Sequence, residues 1–193
     1  QWTGGTFDGG TFTTSGRINL VGPGTKTLGA TARIINGGTW DHVGTGTLAF
    51  IANGTSAAEF LNTGFYQIGD DGDLDWTSGS GPVPLWKNIG TLTKTGGAGV
   101  TTFDFTFDNP GTLAVNSGTF SFAGSAPSAP SIPQFPGGSL TGGTWTVSNA
   151  VLDFPGDNVA STLEAGASVT LVGTASFGQI ADLSTIRGSF TLT

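Results

Sequence analysis

The chain has no cysteine and no methionine, a single histidine, a single tyrosine, and only six lysines and arginines among its 193 residues. Each scarcity excludes something. Without cysteine there is no disulfide framework and no thiolate metal site. With 13 acidic residues and a net charge of -7, the chain offers no basic face for nucleic acid and no polybasic patch for anionic lipid. No apolar run reaches the roughly 18 residues of a membrane-spanning helix, so direct membrane insertion by a helix is not expected. Good helix formers at i, i+3, i+4, i+7 spacing are also missing. The nearest candidate, Thr55 to Asn62, reads as one helical turn or a strand.

What is abundant is glycine, at 34 residues, together with threonine, serine and phenylalanine. These residues recur in a phrase. A Gly-Thr step is followed by an aromatic residue or leucine, and then by alternating polar and apolar positions. It reads Gly5-Thr6-Phe7, Gly10-Thr11-Phe12, Gly38-Thr39-Trp40, Gly90-Thr91-Leu92, Gly111-Thr112-Leu113, Gly118-Thr119-Phe120 and Gly143-Thr144-Trp145, with a looser copy at Gly64-Phe65-Tyr66. Recurrence of this kind marks a repeat architecture. Period-2 alternation within the phrases marks short strands, clearest in Phe103-Asp104-Phe105-Thr106-Phe107.

The predicted fold is all-β: a parallel β-helix, or β-solenoid, in which each coil is three short strands and their turns. At about 20–25 residues per coil, the chain gives roughly eight or nine coils, a rod on the order of 40 Å long at ~4.8 Å per strand. Phe12, Trp40, Phe65, Leu92, Phe105, Leu113, Phe120 and Trp145 are expected inside. Glycines are expected at corners that need positive φ. Residues 1–193 read as one solenoid block, expected to be part of a longer repeat protein. The Pro-rich stretch 125–138 breaks the rhythm, because Pro127, Pro130, Pro133 and Pro136 cannot donate to a ladder. It reads as an extruded loop, with a linker between two blocks as the alternative.

Candidate chemistry lies in departures from the repeat. Asp70, Asp71, Asp73 and Asp75 form the densest acidic group. On a strand, Asp71, Asp73 and Asp75 would share one face, a possible calcium site. The alternative is a solvated charged face that discourages edge aggregation. Asp104, Asp108, Asp153 and Asp157 are candidates for the paired carboxylates of glycoside hydrolysis. Trp76, Trp86 and Tyr66 would form a sugar-stacking platform if they point outward, and core residues if they do not. His42 beside Asp41 lacks a Gly-x-Ser-x-Gly elbow and reads as an exposed loop-edge residue.

The phrases Trp86-Lys-Asn-Ile-Gly90-Thr-Leu-Thr-Lys-Thr-Gly96 and Phe107-Asp-Asn-Pro-Gly111-Thr-Leu-Ala-Val-Asn-Ser-Gly118-Thr-Phe120 resemble the β-strand repeats of large bacterial surface proteins. These include autotransporter passengers and filamentous-haemagglutinin-type adhesins. The resemblance implies a right-handed parallel β-helix, an extracellular or cell-surface location, and a structural or adhesive role. It carries no catalytic residues. The expected partners are further coils, in neighbouring repeats or in a second copy joined end to end or laterally, and cell-surface glycans. A polysaccharide-cleaving β-helix and a calcium-stiffened stalk are the alternatives; enzyme activity is not the expectation.

Overall fold

The computed structural model describes residues 1–123, 130–154 and 159–193. Among them there is no α-helix, only one 3₁₀ turn at Gly178–Ile180. The segment 55–62 is extended, contributing Ser56–Ala57 and Glu59–Asn62.

Stacked parallel strands form a β-solenoid of about 7 turns, one or two fewer than the coil arithmetic gives. The shortfall comes from uneven coils: chain diverted into turns and the Pro-rich segment adds residues without adding rungs. The first face is one sheet of eight parallel strands, Arg17–Leu20, Thr39–His42, Phe65–Ile68, Thr91–Lys94, Thr112–Val115, Gly143–Ser148, Ala167–Val172 and Ser189–Leu192. The second face carries the first halves of Gly5–Thr14 and Lys26–Asn36, then Leu48–Asn53 and Leu74–Ser78. A bridge from Leu74 to Phe103 leads on to Val100–Thr102, Thr119–Ser121, Val151–Asp153 and Ser176–Phe177. The third face stacks the second halves of the two long strands with Glu59–Asn62, Leu85–Asn88 and Thr106–Asp108.

Register turns the repeated phrase into columns. On the first face, Ile18, Trp40, Tyr66, Leu92, Leu113, Trp145, Val169 and Phe190 stand in one column. All but the end members Ile18 and Phe190 are fully buried. The Thr positions beside them form an outer column, and Phe65 falls in that column rather than inside, because it pairs with Thr39 and Thr91. Trp40, Leu92, Phe105, Leu113, Phe120 and Trp145 are inside as expected. Phe12 is not: it lies on the first described coil and is 40% exposed. Aromatic rings stack through the middle of the rod, Phe60 on Trp86 at 4.1 Å and nearly parallel. Full burial of such side chains contributes about 1.5–3 kcal/mol each.

Two further columns fix the corner between the third and first faces. Asn36, Asn62, Asn88 and Asn109 are fully buried, and each amide donates to the next along the axis. Just beyond them stand Gly38, Gly64, Gly90 and Gly111. A Cβ on any of these four would meet the carbonyl oxygen of the glycine one coil earlier at 2.1–2.3 Å, or of Gly16 in the case of Gly38. None of the four has a positive φ. At these four positions glycine is required by close approach of coil on coil, while the expected left-handed backbone is found at Gly5, Gly10, Gly118 and Gly143 of the same phrase.

The Pro-rich segment is described from Pro130 onward; residues 125–129 lie outside the described residues. The described part lies against the rod instead of projecting from it. Ser131 O accepts the Phe107 amide at 2.9 Å, and the Gln134 side chain accepts the Asn109 amide at 2.8 Å and donates to Asp108 at 2.6 Å. Ile132 is buried. Prolines are tolerated there because the segment accepts from the edge of Thr106–Asp108 and needs few donors of its own. The first face is continuous past it, Thr112–Val115 pairing directly with Gly143–Ser148.

Candidate functional site

The acidic segment does not present three carboxylates on one face. Asp70 and Asp71 sit in a bend, and only Asp75 lies within a strand, Leu74–Ser78. The Asp71 carboxylate accepts from Lys94 Nζ at 2.7 Å and from the Gly99 amide at 3.1 Å, tying one coil to the next. Lys94, followed by the amide of Gly99, holds its carboxyl below the usual range despite some burial. Lys94 also donates to Asp70 O at 3.0 Å. Asp73 accepts the Thr102 amide at 2.7 Å. Among the described residues, no group of three or more His, Cys, Asp or Glu is arranged to hold a metal ion.

Asp75 meets a different environment. Burial, and then the neighbouring carboxylates Asp73 and Asp104, push its carboxyl up to about 7. Asp104 is itself raised, by burial first and by Asp73, although the Trp76 amide donates to it. The alternation from Phe103 to Phe107 placed Asp104 on an outer polar face. Instead the chain turns a corner at Asp104–Phe105, so Asp104 is buried along with Phe103, Phe105 and Phe107. A carboxyl raised by burial beside two further carboxyls is the kind of pairing acid catalysis uses.

The other acids serve coil-to-coil contacts. Asp108 binds Lys87 at 3.2 Å and Gln134. Asp153 accepts from Ser121 and Gln179. Asp157 lies outside the described residues. Trp76, Trp86 and Tyr66 are buried, so they are core residues and not a surface platform for sugars. Tyr66 and Trp86 stand in inward columns, and their rings are covered by Phe60.

His42 is also inside, in the inward column between Leu20 and Ile68. Its Nε2–H donates to Gly46 O, and its Nδ1 accepts from the Tyr66 hydroxyl at 3.3 Å. Burial holds the imidazole below its ordinary pKa, so it stays neutral. Lys26 and Lys94 occupy inward positions as well, with no exposed surface. Lys26 donates to Gly22 O at 3.0 Å, and burial lowers its pKa. These three residues satisfy turn carbonyls from within. The signal in the sequence was column position: Lys94 is two residues after Leu92, as His42 is two after Trp40.

Among the described residues, two concavities stand apart from these groups. One, of about 510 Å³, lies between the Asn53–Ala57 hairpin and the loop near Pro82, with Arg33 and Glu59 paired at 3.3 Å in its wall. The other, of about 290 Å³, opens at the first coil and is lined by Trp2, Phe7, Phe12, Ile18, Ile34 and Trp40. The last coil has its own bare edge. Ser189–Leu192 is exposed throughout, with Phe190 37% and Leu192 69% accessible. No family model matches the chain, and no curated protein or solved structure is significantly similar to it.

Proposed function

We propose that the chain is an extracellular structural or adhesive module of a bacterial surface protein, a rigid spacer whose partners are further coils at its ends. One observation carries this reading. Most of the repeated residues go into buried columns and ladders that build the rod, which leaves little of the repeat to form a pocket. The surface-repeat style of the phrases supports an envelope location. The test is immunolabelling of intact, unpermeabilised cells of the organism carrying the gene. Surface or filament labelling is expected; label appearing only after lysis overturns the reading.

A second reading, a carbohydrate-cleaving β-helix, is favoured by the raised carboxyl of Asp75 beside Asp73 and Asp104. A glycan panel with a reducing-end assay tests it. Turnover lost in Asp75→Asn would establish this reading, and no turnover on any glycan would remove it.

A further inference from the structure

We propose that Asn53, at the tip of the hairpin that walls the larger concavity, is a site of self-modification: its side-chain amide is lost to water through ring closure with Gly54. The chain has two Asn-Gly pairs, Asn36-Gly37 and Asn53-Gly54. Glycine after asparagine leaves the following amide nitrogen unhindered, because no Cβ crowds its approach to the asparagine side chain. The fold treats the two pairs in opposite ways. Asn36 has no exposed surface, and its Nδ2 donates to Asn62 Oδ1 at 2.7 Å and to Phe65 O at 3.1 Å. The Gly37 amide, the nitrogen that would have to attack, donates to Thr14 O at 2.8 Å. That pair is locked into the ladder. Asn53, Gly54 and Thr55 are exposed, in the turn that joins Asn53 to its antiparallel partner Ser56. Among the described residues, the Gly54 amide donates to no backbone carbonyl.

The hairpin also prepares the carbon that is attacked. Asn53 Oδ1 accepts from the Ser56 amide at 2.9 Å, and from the Thr55 amide and hydroxyl at 3.2 Å each. All three bonds go to the oxygen that gains negative charge during the attack, and none of them holds the nitrogen that leaves. The Gly54 nitrogen gives its proton to solvent and bonds to Asn53 Cγ. The Cγ–Nδ2 bond breaks, ammonia departs, and a cyclic imide remains. Water then reopens the ring on either side. One opening gives aspartate; the other gives isoaspartate, with the main chain rerouted through Cγ. No electrons are transferred, and water is the only reagent consumed. Either product adds a negative charge to the hairpin, beside a concavity whose wall already holds Arg33 and Glu59. The fold itself does not ask for glycine here: a Cβ on Gly54 meets nothing within 4 Å, and its φ is not positive.

Incubation of the folded 193-residue chain at mildly alkaline pH, beside a sample unfolded in urea, tests this. Peptide mass mapping with enzymatic isoaspartate labelling reads each asparagine. In the folded chain, Asn53 is expected to convert to a mixture of aspartate and isoaspartate while Asn36 keeps its amide; in urea both convert. Gly54→Ala crowds the attacking nitrogen and is expected to slow conversion by about tenfold or more. Thr55→Val keeps the branched shape but deletes one donor to Oδ1, and is expected to slow it by about threefold or more. Circular dichroism is expected to show the fold retained in both variants. Asn53 still an amide in the folded chain after both sites have converted in urea overturns the proposal. So does Asn36 converting alongside Asn53 in the folded chain, or a rate indifferent to either substitution.

Discussion

Asn62 Nδ2 donates to Asn88 Oδ1 at 2.7 Å, from one coil to the next, in a site with no exposed surface. The same nitrogen donates to Thr91 O at 3.0 Å, while Asn62 Oδ1 accepts from Asn36. Every polar atom of the Asn62 side chain is therefore committed, and low surrounding polarity makes each bond costly to lose.

Replacing Asn62 by alanine takes one of its two acceptors from the Asn36 amide, which keeps Phe65 O, and removes the Asn62 donor from the Asn88 oxygen and Thr91 O at once. A loss of about 2–4 kcal/mol is expected by urea denaturation. Asn116→Ala is the control. It removes one bond of 3.4 Å from an exposed residue and is expected to stay within about 0.5 kcal/mol of wild type.

Gly64→Ala places a methyl carbon 2.2 Å from Gly38 O, a backbone atom that cannot move without parting two coils. A severe loss is expected, about 3 kcal/mol or more. Gly54→Ala, at the hairpin tip with open space around it, is expected to be neutral. Equal melting temperatures for the two variants would show that the corner does not need the close approach.

Asp75 makes stability depend on pH. Its folded carboxyl titrates at about 7, above its unfolded value of 3.8, so the folded state binds the extra proton between those two values. Its contribution is present in full below pH 3.8 and is lost as pH rises toward 7. Asp75→Asn removes this slope. The variant is expected to gain on the order of 1–2 kcal/mol at pH 8, after discounting for the solvent that reaches the group, and nothing at pH 4. Asp71 acts in the opposite sense. Its carboxyl is lowered, so its stabilisation is present above the unfolded value and fails as pH falls through the folded one. Asp71→Asn is expected to blunt acid unfolding.

Trp86 separates a core role from a ligand role. Its ring stacks on Phe60, and its Nε1–H is buried with no acceptor. Trp86→Ala is expected to cost about 3–5 kcal/mol. Trp86→Phe leaves a smaller gap and removes the orphaned donor, so a loss of no more than about 2 kcal/mol is expected. Tryptophan fluorescence and melting temperature read both variants.

The solenoid and much of its core were legible because Gly-Thr-aromatic phrases encode a column directly. Trp40, Leu92, Leu113 and Trp145 followed from that alone. Tyr66 was misphased for Phe65 because its phrase lacks threonine. Counting two residues on from the corner glycine, as in Gly38 to Trp40 and Gly90 to Leu92, points to Tyr66. His42, Lys26 and Lys94 escaped detection because polar residues are ordinarily placed in water, and the turn carbonyls that hold them inside exist only after coiling. Asp104 was misplaced because strand alternation does not announce a corner. For the candidate site, the sequence singles out the acidic group, but the residues it meets, Lys94, Gly99, Thr102 and Asp104, come from the following coil.

The asparagine ladder bears on how such a rod changes length over generations. Asn36 to Asn62 and Asn62 to Asn88 are each 26 residues, whereas Asn88 to Asn109 is 21. An in-frame tandem duplication of residues 37–62 inserts one whole coil and keeps asparagine on asparagine, glycine on glycine and ring on ring. All the donors point the same way, so the new rung joins without reversing its neighbours. The ladder stops at Asn109, whose own Nδ2 finds no acceptor. The early coils are therefore where duplication of a coil extends the asparagine ladder as well as the strand register, whereas beyond Asn109 the strands keep register without it.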